Sequence, residues 1–546
     1  MEYFFDTINF YLLKNYILKD PLIDWFNIQE YLENPKYVRD TQSYYKKYII
    51  KESNEYKNKL LDEIISKSGL DIPKNTSSEE TLKKINNNFP LIIKGELYSK
   101  KRNLLVNCDI IIRYDYFKKI FPKINNLPFH LLCKKKNYLL INTSYSSLKF
   151  KVDLKEIMND SLIKYKKCNL YAFMKVFEEL FSVKPPMFLM GKEYYYKKTQ
   201  LPKNEFIGYV PFNNEIKELF VSAFEWIKKL RLNYKNMDIF PKPNYKELYP
   251  NMNNNESDWE NEKYKLASEI KEITSVWNIS YNERCDFLEK GIECWDDDKL
   301  LKNLKESKKR DIQERMIHMN KNTDILLYPR KNISSTFKEI LSLKNDIYFD
   351  VESFLSFDEK QELLNDELNK RDPVLGILGF IHEDKYWNYT INDFSLKEEK
   401  KIVTRFIEHL HKINNSKLVN IYHWGHAEFN YLKYIQDKYP EIILPEYRLI
   451  NVLDFFRTEP IIVQGVFKFG LKYIGEALYK NKLIKTTWGI NDNGLDTMIE
   501  FKDVCKNNTK NIPLKRYSQI VDIIDYNRID CQVLYEIVDL MKKTYL

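Results

Sequence analysis

The chain has little glycine and proline, with 13 Gly and 19 Pro among 546 residues. This scarcity excludes collagen-like repeats and long flexible linkers. No run of about 18 apolar residues occurs, so we expect no helix that spans a membrane. The first residues carry no basic stretch ahead of an apolar one, so we also expect no secretory signal.

Cysteine is also scarce: the seven residues are far apart, and none forms a Cys-x-x-Cys pair. Neither Cys nor His occurs at zinc-finger spacing, so we expect no structural zinc and no iron–sulfur cluster. Reduced thiols indicate an intracellular protein. The abundance of Lys, Asn, Ile and Tyr fits an AT-rich genome. The expected location is therefore the cytoplasm, or the replication compartment if the source is a large DNA virus.

What the chain does contain is enough apolar and aromatic surface for folded cores, at 44% and 15% of its residues. Its length suggests about three or four domains. The net charge of +9 favours a polyanionic partner.

The sequence divides into three segments. In 1–205, a helical stretch over 45–65 precedes short apolar runs that predict strands, and in 206–340 the pattern is mostly helical. In 341–546, a strand that starts at Asp346 is followed by alternating strands and helices, which predicts an α/β domain.

Two carboxylates stand two positions apart on that strand, Asp350 and Glu352. Residues at this spacing share one face of a strand. Two acids on one buried face repel each other unless a metal ion neutralises them. The alternative is an edge strand whose polar face lies in water.

A second acid-bearing stretch follows an apolar strand and a turn at Gly425. Glu428 lies at the start of the next helix, where it either lines a site at the strand ends or complements the helix dipole. His423 and His426 flank the turn, and structural roles for them are an open alternative. Near the end of the chain, Tyr526 and Asp530 are four apart and share a helical face.

The order of these three pieces resembles the DEDD exonucleases of the ribonuclease-H-like superfamily. It is most similar to the ribonuclease-H-like exonuclease domain of RecB-type proteins, over 341–546. The resemblance implies a mixed sheet flanked by helices. It also implies a two-metal hydrolysis of phosphodiesters with Mg²⁺ or Mn²⁺, which hard carboxylates suit.

The resemblance also assigns the site residues. The implied catalytic and metal-binding residues are Asp350, Glu352, Glu428 and Asp530, with Tyr526 orienting the attacking water. Many members have Asp where this chain has Glu428, but Glu remains a hard oxygen ligand. Asp454 is a candidate fifth metal-binding acid, and His423 and Lys472 are candidate substrate-binding residues.

In the first segment, Glu55 on a helix and Asp109 on a strand precede a strand that ends near Ser144. This order resembles the PD-(D/E)XK nuclease domain of RecB-type proteins, which has a restriction-endonuclease-like α/β fold, over 45–200. In that family the later strand carries an acid and a Lys. Here Asn142 and Ser144 stand at those positions, and Lys167 replaces a Gln of the following helix.

Asn cannot supply the charge that holds a metal ion, and Ser cannot act as the cation. We therefore predict a degenerate nuclease domain that binds substrate but has lost its chemistry. In one alternative, Lys149 or Lys151 with a displaced acid rescues the site. In the other, Glu55 and Asp109 are ordinary surface acids.

The middle segment resembles a helical connector of helix-hairpin-helix type, with Gly291 at a tight turn. Positions 302–310 are predicted to form one basic helical stretch in which Lys309 and Arg310 bind phosphates. The rival interpretation is a solvated face with ion pairs four residues apart. Trp277 and Trp295 are expected in the core.

Together these features predict a metal-dependent 3′–5′ exonuclease that acts on DNA, or on RNA. One alternative is a catalytically inactive scaffold that binds nucleic acid. Another is a protein-interaction platform whose positive charge reflects composition alone.

Overall fold

The computed structural model describes residues 7–128, 137–255, 257–321, 325–330, 332–355, 373–393, 395–414, 418–489, 494–508 and 512–546. They form an α/β protein with mixed sheets and about 49% helix. Two compact units are present. Within the described ranges, the first comprises 7–42 and 47–270, and the second comprises 43–46, 271–355 and 373–546.

The first unit is built on a six-stranded mixed sheet and a small three-stranded sheet. Its strands are β1 (Ile8–Asn9), β2 (Leu91–Ser99), β3 (Leu104–Arg113), β4 (Tyr138–Thr143), β5 (Ser147–Lys149), β6 (Met187–Met190), β7 (Glu193–Tyr196), β8 (Thr199–Leu201) and β9 (Gly208–Val210). The strand order of the large sheet is β1-β3-β4-β6-β9, and β2 also pairs with β3. Strands β5, β7 and β8 form the small sheet. The Ile-rich strand β3 is buried along most of its length, as expected for a central strand.

Helices cover this sheet and extend the unit. They are α1 (Lys14–Ile17), α2 (Leu22–Tyr31), α3 (Tyr44–Ser68), α4 (Ser78–Asn86), α5 (Tyr114–Ile120), α6 (Ser161–Phe181), α7 (Asn214–Asn233) and α8 (Glu260–Glu269). The start of α6 is fixed by Asp160, whose Oδ1 accepts a hydrogen bond from the Ile163 N–H at 2.8 Å.

The second unit is built on a five-stranded mixed sheet in the order β13-β12-β11-β14-β15, and β10 pairs separately with β16. Its strands are β10 (Leu327–Tyr328), β11 (Asp346–Leu355), β12 (Pro373–His382), β13 (Lys385–Thr390), β14 (Val419–His423), β15 (Tyr447–Asn451) and β16 (Ile462–Val463). Strand β11 is antiparallel to β12 and parallel to β14.

The second unit also contains helices, some of which pack on the two faces of this sheet. They are α9 (Tyr281–Glu289), α10 (Asp298–Asn303), α11 (Arg310–Lys321), α12 (Ser335–Leu341), α13 (Leu396–Asn414), α14 (Ala427–Lys438), α15 (Val452–Thr458), α16 (Leu471–Lys480), α17 (Gly494–Asn507) and α18 (Ser518–Tyr545). Alternation along β11 sends Ile347 and Phe349 into one core with α13, while Tyr348 joins the opposite core with α18. Asp350 and Glu352 therefore lie on the α18 face.

The central position of β11 excludes one alternative. Strand β11 pairs with β14 over Asp346–Tyr348 and with β12 over Tyr348–Leu355, so it is not an edge strand whose polar face lies in water. Glu352 is only 8% exposed.

The predicted basic helix over positions 302–310 is wrong. Helix α10 ends at Asn303, Leu304 has an extended backbone, and α11 begins at Arg310. The intervening turn is stabilised by Ser307, whose Oγ accepts a hydrogen bond from the Lys309 N–H at 3.3 Å. Serine competes with helix in this way because its side chain bonds the nearby backbone.

Three further features of the middle segment are the turn at Gly291, the packing of two Trp side chains and the boundary between the units. Gly291 adopts a left-handed backbone with φ of 70°, as the predicted turn requires. Trp277 and Trp295 pack on Phe469 and Phe467, at ring centroid distances of 5.3 and 5.0 Å. The boundary between the two units, at position 270, falls inside the predicted connector over 206–340.

No helix within the described ranges is both long and apolar enough to cross a membrane.

Candidate metal centre

Three acids of the second unit converge. Strand β11 carries Asp350 and Glu352, and helix α18, which packs on that face of the sheet, carries Asp530. One carboxylate oxygen from each of the three lies within 4.8 Å of the others, which is close enough to share one metal ion. Among the described residues this is the only group of at least three His, Cys, Asp or Glu side chains with such geometry.

Burial makes this cluster electrostatically costly. The pKa of Asp350 is raised well above its ordinary value by burial, and then by the charges of Asp530, Glu352 and Glu428. Burial and Asp530 also raise the pKa of Glu352 to about 8. Burial and mutual repulsion therefore disfavour the ionised forms of these acids, and a divalent cation would stabilise those forms.

Two neutral side chains donate hydrogen bonds to the cluster. The Asn527 side chain donates from Nδ2 to Asp350 Oδ2 at 2.6 Å. The Trp488 indole donates from Nε1 to Asp530 Oδ1 at 2.7 Å. Neutral donors orient a carboxylate without cancelling its charge, so these two bonds leave the negative charge of the cluster available to a cation.

Glu428 and His423 form a buried pair beside the cluster. The turn at Gly425, where φ is 97°, connects β14 to α14 and brings Glu428 into the first helical turn. Glu428 Oε2 and His423 Nδ1 lie 3.6 Å apart, and neither atom has a hydrogen-bond partner among the described residues. Glu428 contributes its charge to the raised pKa values of Asp350 and Glu352 but lies outside the three-acid group.

The remaining residues predicted for this site are more peripheral. Tyr526 is half-buried one helical turn before Asp530 and packs against the core on the α18 side. Asp454 is exposed at the start of α15, where Asn451 Nδ2 donates to its Oδ2 at 2.8 Å, and it does not join the three-acid group. Lys472 is half-buried near the start of α16.

The two basic residues predicted to bind phosphates differ in their surroundings. Arg310 is paired within its own chain segment: its Nε lies 2.7 Å from Glu314 Oε1, and Glu306 contacts its Nη1. These are ion pairs four residues apart, as in the rival interpretation of this stretch. Lys309 is exposed in the preceding turn.

The first unit holds the predicted degenerate site. Asp109 is 8% exposed, and Asn142 on the neighbouring strand accepts a hydrogen bond from its backbone N–H at 2.9 Å. Asp109 Oδ2 accepts two further bonds of 2.8 Å, from the backbone N–H and the hydroxyl of Thr143. Asn142 thus lies beside Asp109. Ser144 is buried at the end of β4, with its N–H bonded to the Met190 carbonyl at 2.8 Å.

A lysine neutralises Asp109. Lys57 Nζ contacts Asp109 Oδ1 in an ion pair that is 12% exposed on the acid side. Burial alone would raise the pKa of Asp109, but Lys57 and Lys166 outweigh it and hold this pKa below its ordinary value. Asp109 is therefore not an ordinary surface acid.

Glu55 does not share this environment. Its side chain is half exposed and lies 4.0 Å from Lys51 Nζ. Lys151, one of the two residues considered for rescue, pairs with Glu156 at 2.7 Å, and Lys149 is exposed. Lys167 is buried, and its Nζ donates to the Ile157 carbonyl at 2.8 Å.

Sequence reasoning missed three residues that shape these sites. Asn527 lies inside the Tyr526–Asp530 motif, so its position gave a usable signal. Trp488 and Lys57 contact acids that are 42 and 52 positions away in the sequence, and no local pattern marks either contact.

Scans against protein-family models, curated proteins and solved structures found no match to this chain.

Proposed function

We propose that the second unit is a metal-dependent nuclease that hydrolyses phosphodiester bonds of nucleic acid, acting as a 3′–5′ exonuclease with a ribonuclease-H-like fold. The observation that carries the proposal is the convergence of Asp350, Glu352 and Asp530, which receive hydrogen bonds from the neutral donors Asn527 and Trp488. Polarity and the preference for DNA over RNA rest on the family resemblance alone.

The residues present fit a hard divalent cation. Asp350, Glu352 and Asp530 supply carboxylate oxygens, the ligands that Mg²⁺ and Mn²⁺ favour, and Glu428 adds negative charge beside them. Two such ions would activate a water molecule and neutralise charge on the leaving oxygen. Tyr526, one helical turn from Asp530, would orient the water.

The first unit would have a different role. We propose that it is a PD-(D/E)XK-like domain that has lost its chemistry and binds substrate. Support comes from Lys57, which supplies beside Asp109 the positive charge that a metal ion would otherwise bring. Asn142, the neighbour of Asp109, cannot add the second negative charge such an ion needs. An intracellular location belongs to the same proposal.

End-labelled single- and double-stranded DNA and RNA, incubated with the full-length protein and Mg²⁺ or Mn²⁺, test the function. The variant is Asp350→Asn/Glu352→Gln, which removes charge at nearly constant volume. The matched control is Asp525→Asn, since Asp525 is an exposed acid on the same helix as Asp530. We expect stepwise shortening by the wild type and the control, and none by the double variant.

The position of the surviving label gives the polarity. Equal cleavage by the double variant would contradict the assignment of these acids. Salt-sensitive binding by all three proteins without cleavage would favour the inactive nucleic-acid-binding scaffold, because neutralised phosphates release counterions.

A further inference from the structure

Asn527 is the most completely buried polar side chain near the three acids, with an exposed fraction of 0%. Its Nδ2 donates to Asp350 Oδ2 at 2.6 Å. The carboxamide thus contacts the first acid of strand β11 directly.

Tyr386 on β13 fixes which way this carboxamide faces. The Tyr386 hydroxyl donates to Asn527 Oδ1 at 2.8 Å and lies 3.3 Å from the Ile524 carbonyl oxygen. If the amide were flipped, its oxygen would lie against a carboxylate oxygen at 2.6 Å. The phenol therefore holds the N–H groups toward the acids.

Gly379 makes room for this arrangement. It is the antiparallel partner of Asp350 in the sheet. A Cβ atom at Gly379 would lie 1.7 Å from Asn527 Oδ1 and 2.8 Å from the Tyr386 hydroxyl. The carboxamide therefore lies directly against bare strand backbone, and no larger residue at 379 would leave it in place.

We propose that Asn527 is a positioning residue that fixes the Asp350 carboxylate for binding of a divalent cation, with Tyr386 and Gly379 holding Asn527 in register. The inference rests on the proposed function. A neutral donor is suited to the task, because it restricts the carboxylate without supplying the positive charge that Lys57 brings to Asp109. Partners of this kind, which orient a metal ligand, typically change metal affinity about 10–100-fold when removed.

Mn²⁺ binding to the full-length protein, followed by electron paramagnetic resonance of the free ion, tests the inference without relying on activity. The variants are Asn527→Ala, Tyr386→Phe and Gly379→Ala. Gly379→Ala is decisive, because it displaces Asn527 without altering it. Tyr389→Phe is the matched control, since Tyr389 lies on the same strand and its hydroxyl bonds His409 at 2.7 Å.

We expect Asn527→Ala and Gly379→Ala each to weaken Mn²⁺ binding about tenfold or more, Tyr386→Phe to weaken it less, and Tyr389→Phe to leave it unchanged. Circular dichroism and thermal melting of the metal-free proteins separate misfolding from lost positioning. If Asn527→Ala does not fold, the Mn²⁺ affinity of Tyr386→Phe, which removes only one hydroxyl, tests the inference instead.

Two outcomes would overturn the inference and differ in their meaning. Wild-type affinity in folded Asn527→Ala or Gly379→Ala would refute the role of Asn527 and leave the proposed function standing. Absence of Mn²⁺ binding by the wild type would refute both.

Discussion

The indole N–H of Trp488 donates to Oδ1 of Asp530 at 2.7 Å, which ties the acid on the last helix to the segment that follows α16. The same segment is attached a second time, because Glu536 of α18 accepts hydrogen bonds from the backbone N–H groups of Lys485 and Thr486. Trp488 is 7% exposed, so water cannot readily replace its bond to the acid. The orientation of Asp530 therefore depends on a residue outside its own helix.

Replacing Trp488 by Phe should lower metal affinity with only a small loss of stability. Phe retains much of the ring packing but has no N–H donor, so Asp530 loses the hydrogen bond that Trp488 donates to it. We expect about tenfold weaker Mn²⁺ binding, measured by calorimetry on the full-length protein. Trp424→Phe is the matched control, because its indole donates to a backbone carbonyl, that of Phe469, at 3.1 Å. An equal effect of both substitutions would contradict the role of Trp488.

Replacing Asp530 by Asn should stabilise the metal-free protein. The amide keeps an oxygen to accept the Trp488 N–H, while the repulsion among the three clustered acids is reduced. We expect the free energy of unfolding in EDTA to rise by about 1–2 kcal/mol, at the cost of function. The measurement is chemical denaturation with and without Mg²⁺.

The same experiment compares how much Mg²⁺ stabilises the wild type and the variant. Mg²⁺ should stabilise the wild type, by about 2.7 kcal/mol at a hundredfold excess over the dissociation constant, and Asp530→Asn much less. Lower stability of Asp530→Asn in EDTA would show that repulsion among the acids does not destabilise the metal-free protein.

The sequence was informative where chemistry depends on short spacings. Asp350 and Glu352 are two apart on a strand, and Asp530 lies within a helical motif, so periodicity alone predicted their faces. Sequence could not show that β11 is central in its sheet, because strand order depends on pairing with β12 and β14, whose positions are remote in the chain.

Contacts between remote segments account for most of what was missed. Lys57 and Asp109 belong to a helix and a strand, and only the fold brings their charges together. The break in the predicted basic helix has a local cause, because the Ser307 side chain accepts a hydrogen bond from the backbone N–H of Lys309. The serine was therefore a usable signal against a continuous helix.

Replacing Lys57 by Met should destabilise the first unit in a pH-dependent way. In the wild type the folded-state pKa of Asp109 lies below its ordinary value, so the stability it contributes is complete above the unfolded pKa and is lost as pH falls through the folded pKa. Without Lys57, fewer groups oppose the effect of burial, so the folded-state pKa of Asp109 rises. The protein should then gain less stability than the wild type as pH rises.

The expected loss at neutral pH is about 2 kcal/mol, less than for a fully buried pair because Lys57 is 32% exposed. Urea denaturation between about pH 4 and pH 7 should show a smaller loss at the acid end. Lys51→Met is the control, since the exposed pair with Glu55 should contribute under about 0.5 kcal/mol. A loss that does not vary with pH would mean that Lys57 acts through packing alone.

Lys309 and Arg310 should differ in their effect on nucleic-acid binding, although they are adjacent. Arg310 is neutralised by Glu306 and Glu314, whereas no ion pair of the exposed Lys309 ammonium occurs within the described parts of the chain. If Lys309 contacts a phosphate, Lys309→Ala should reduce the slope of log affinity against log salt by about one. Arg310→Ala should leave that slope nearly unchanged and slightly destabilise α11.

Fluorescence anisotropy with a labelled oligonucleotide at several salt concentrations gives both slopes in one series. Equal reductions would indicate that the Arg310 ion pairs open when nucleic acid binds, because a released counterion requires a phosphate contact. An unchanged slope in both variants would instead exclude this turn from the binding surface. The basic character of positions 302–310 would then reflect composition, since a basic residue that contacts a phosphate should change the slope when it is removed.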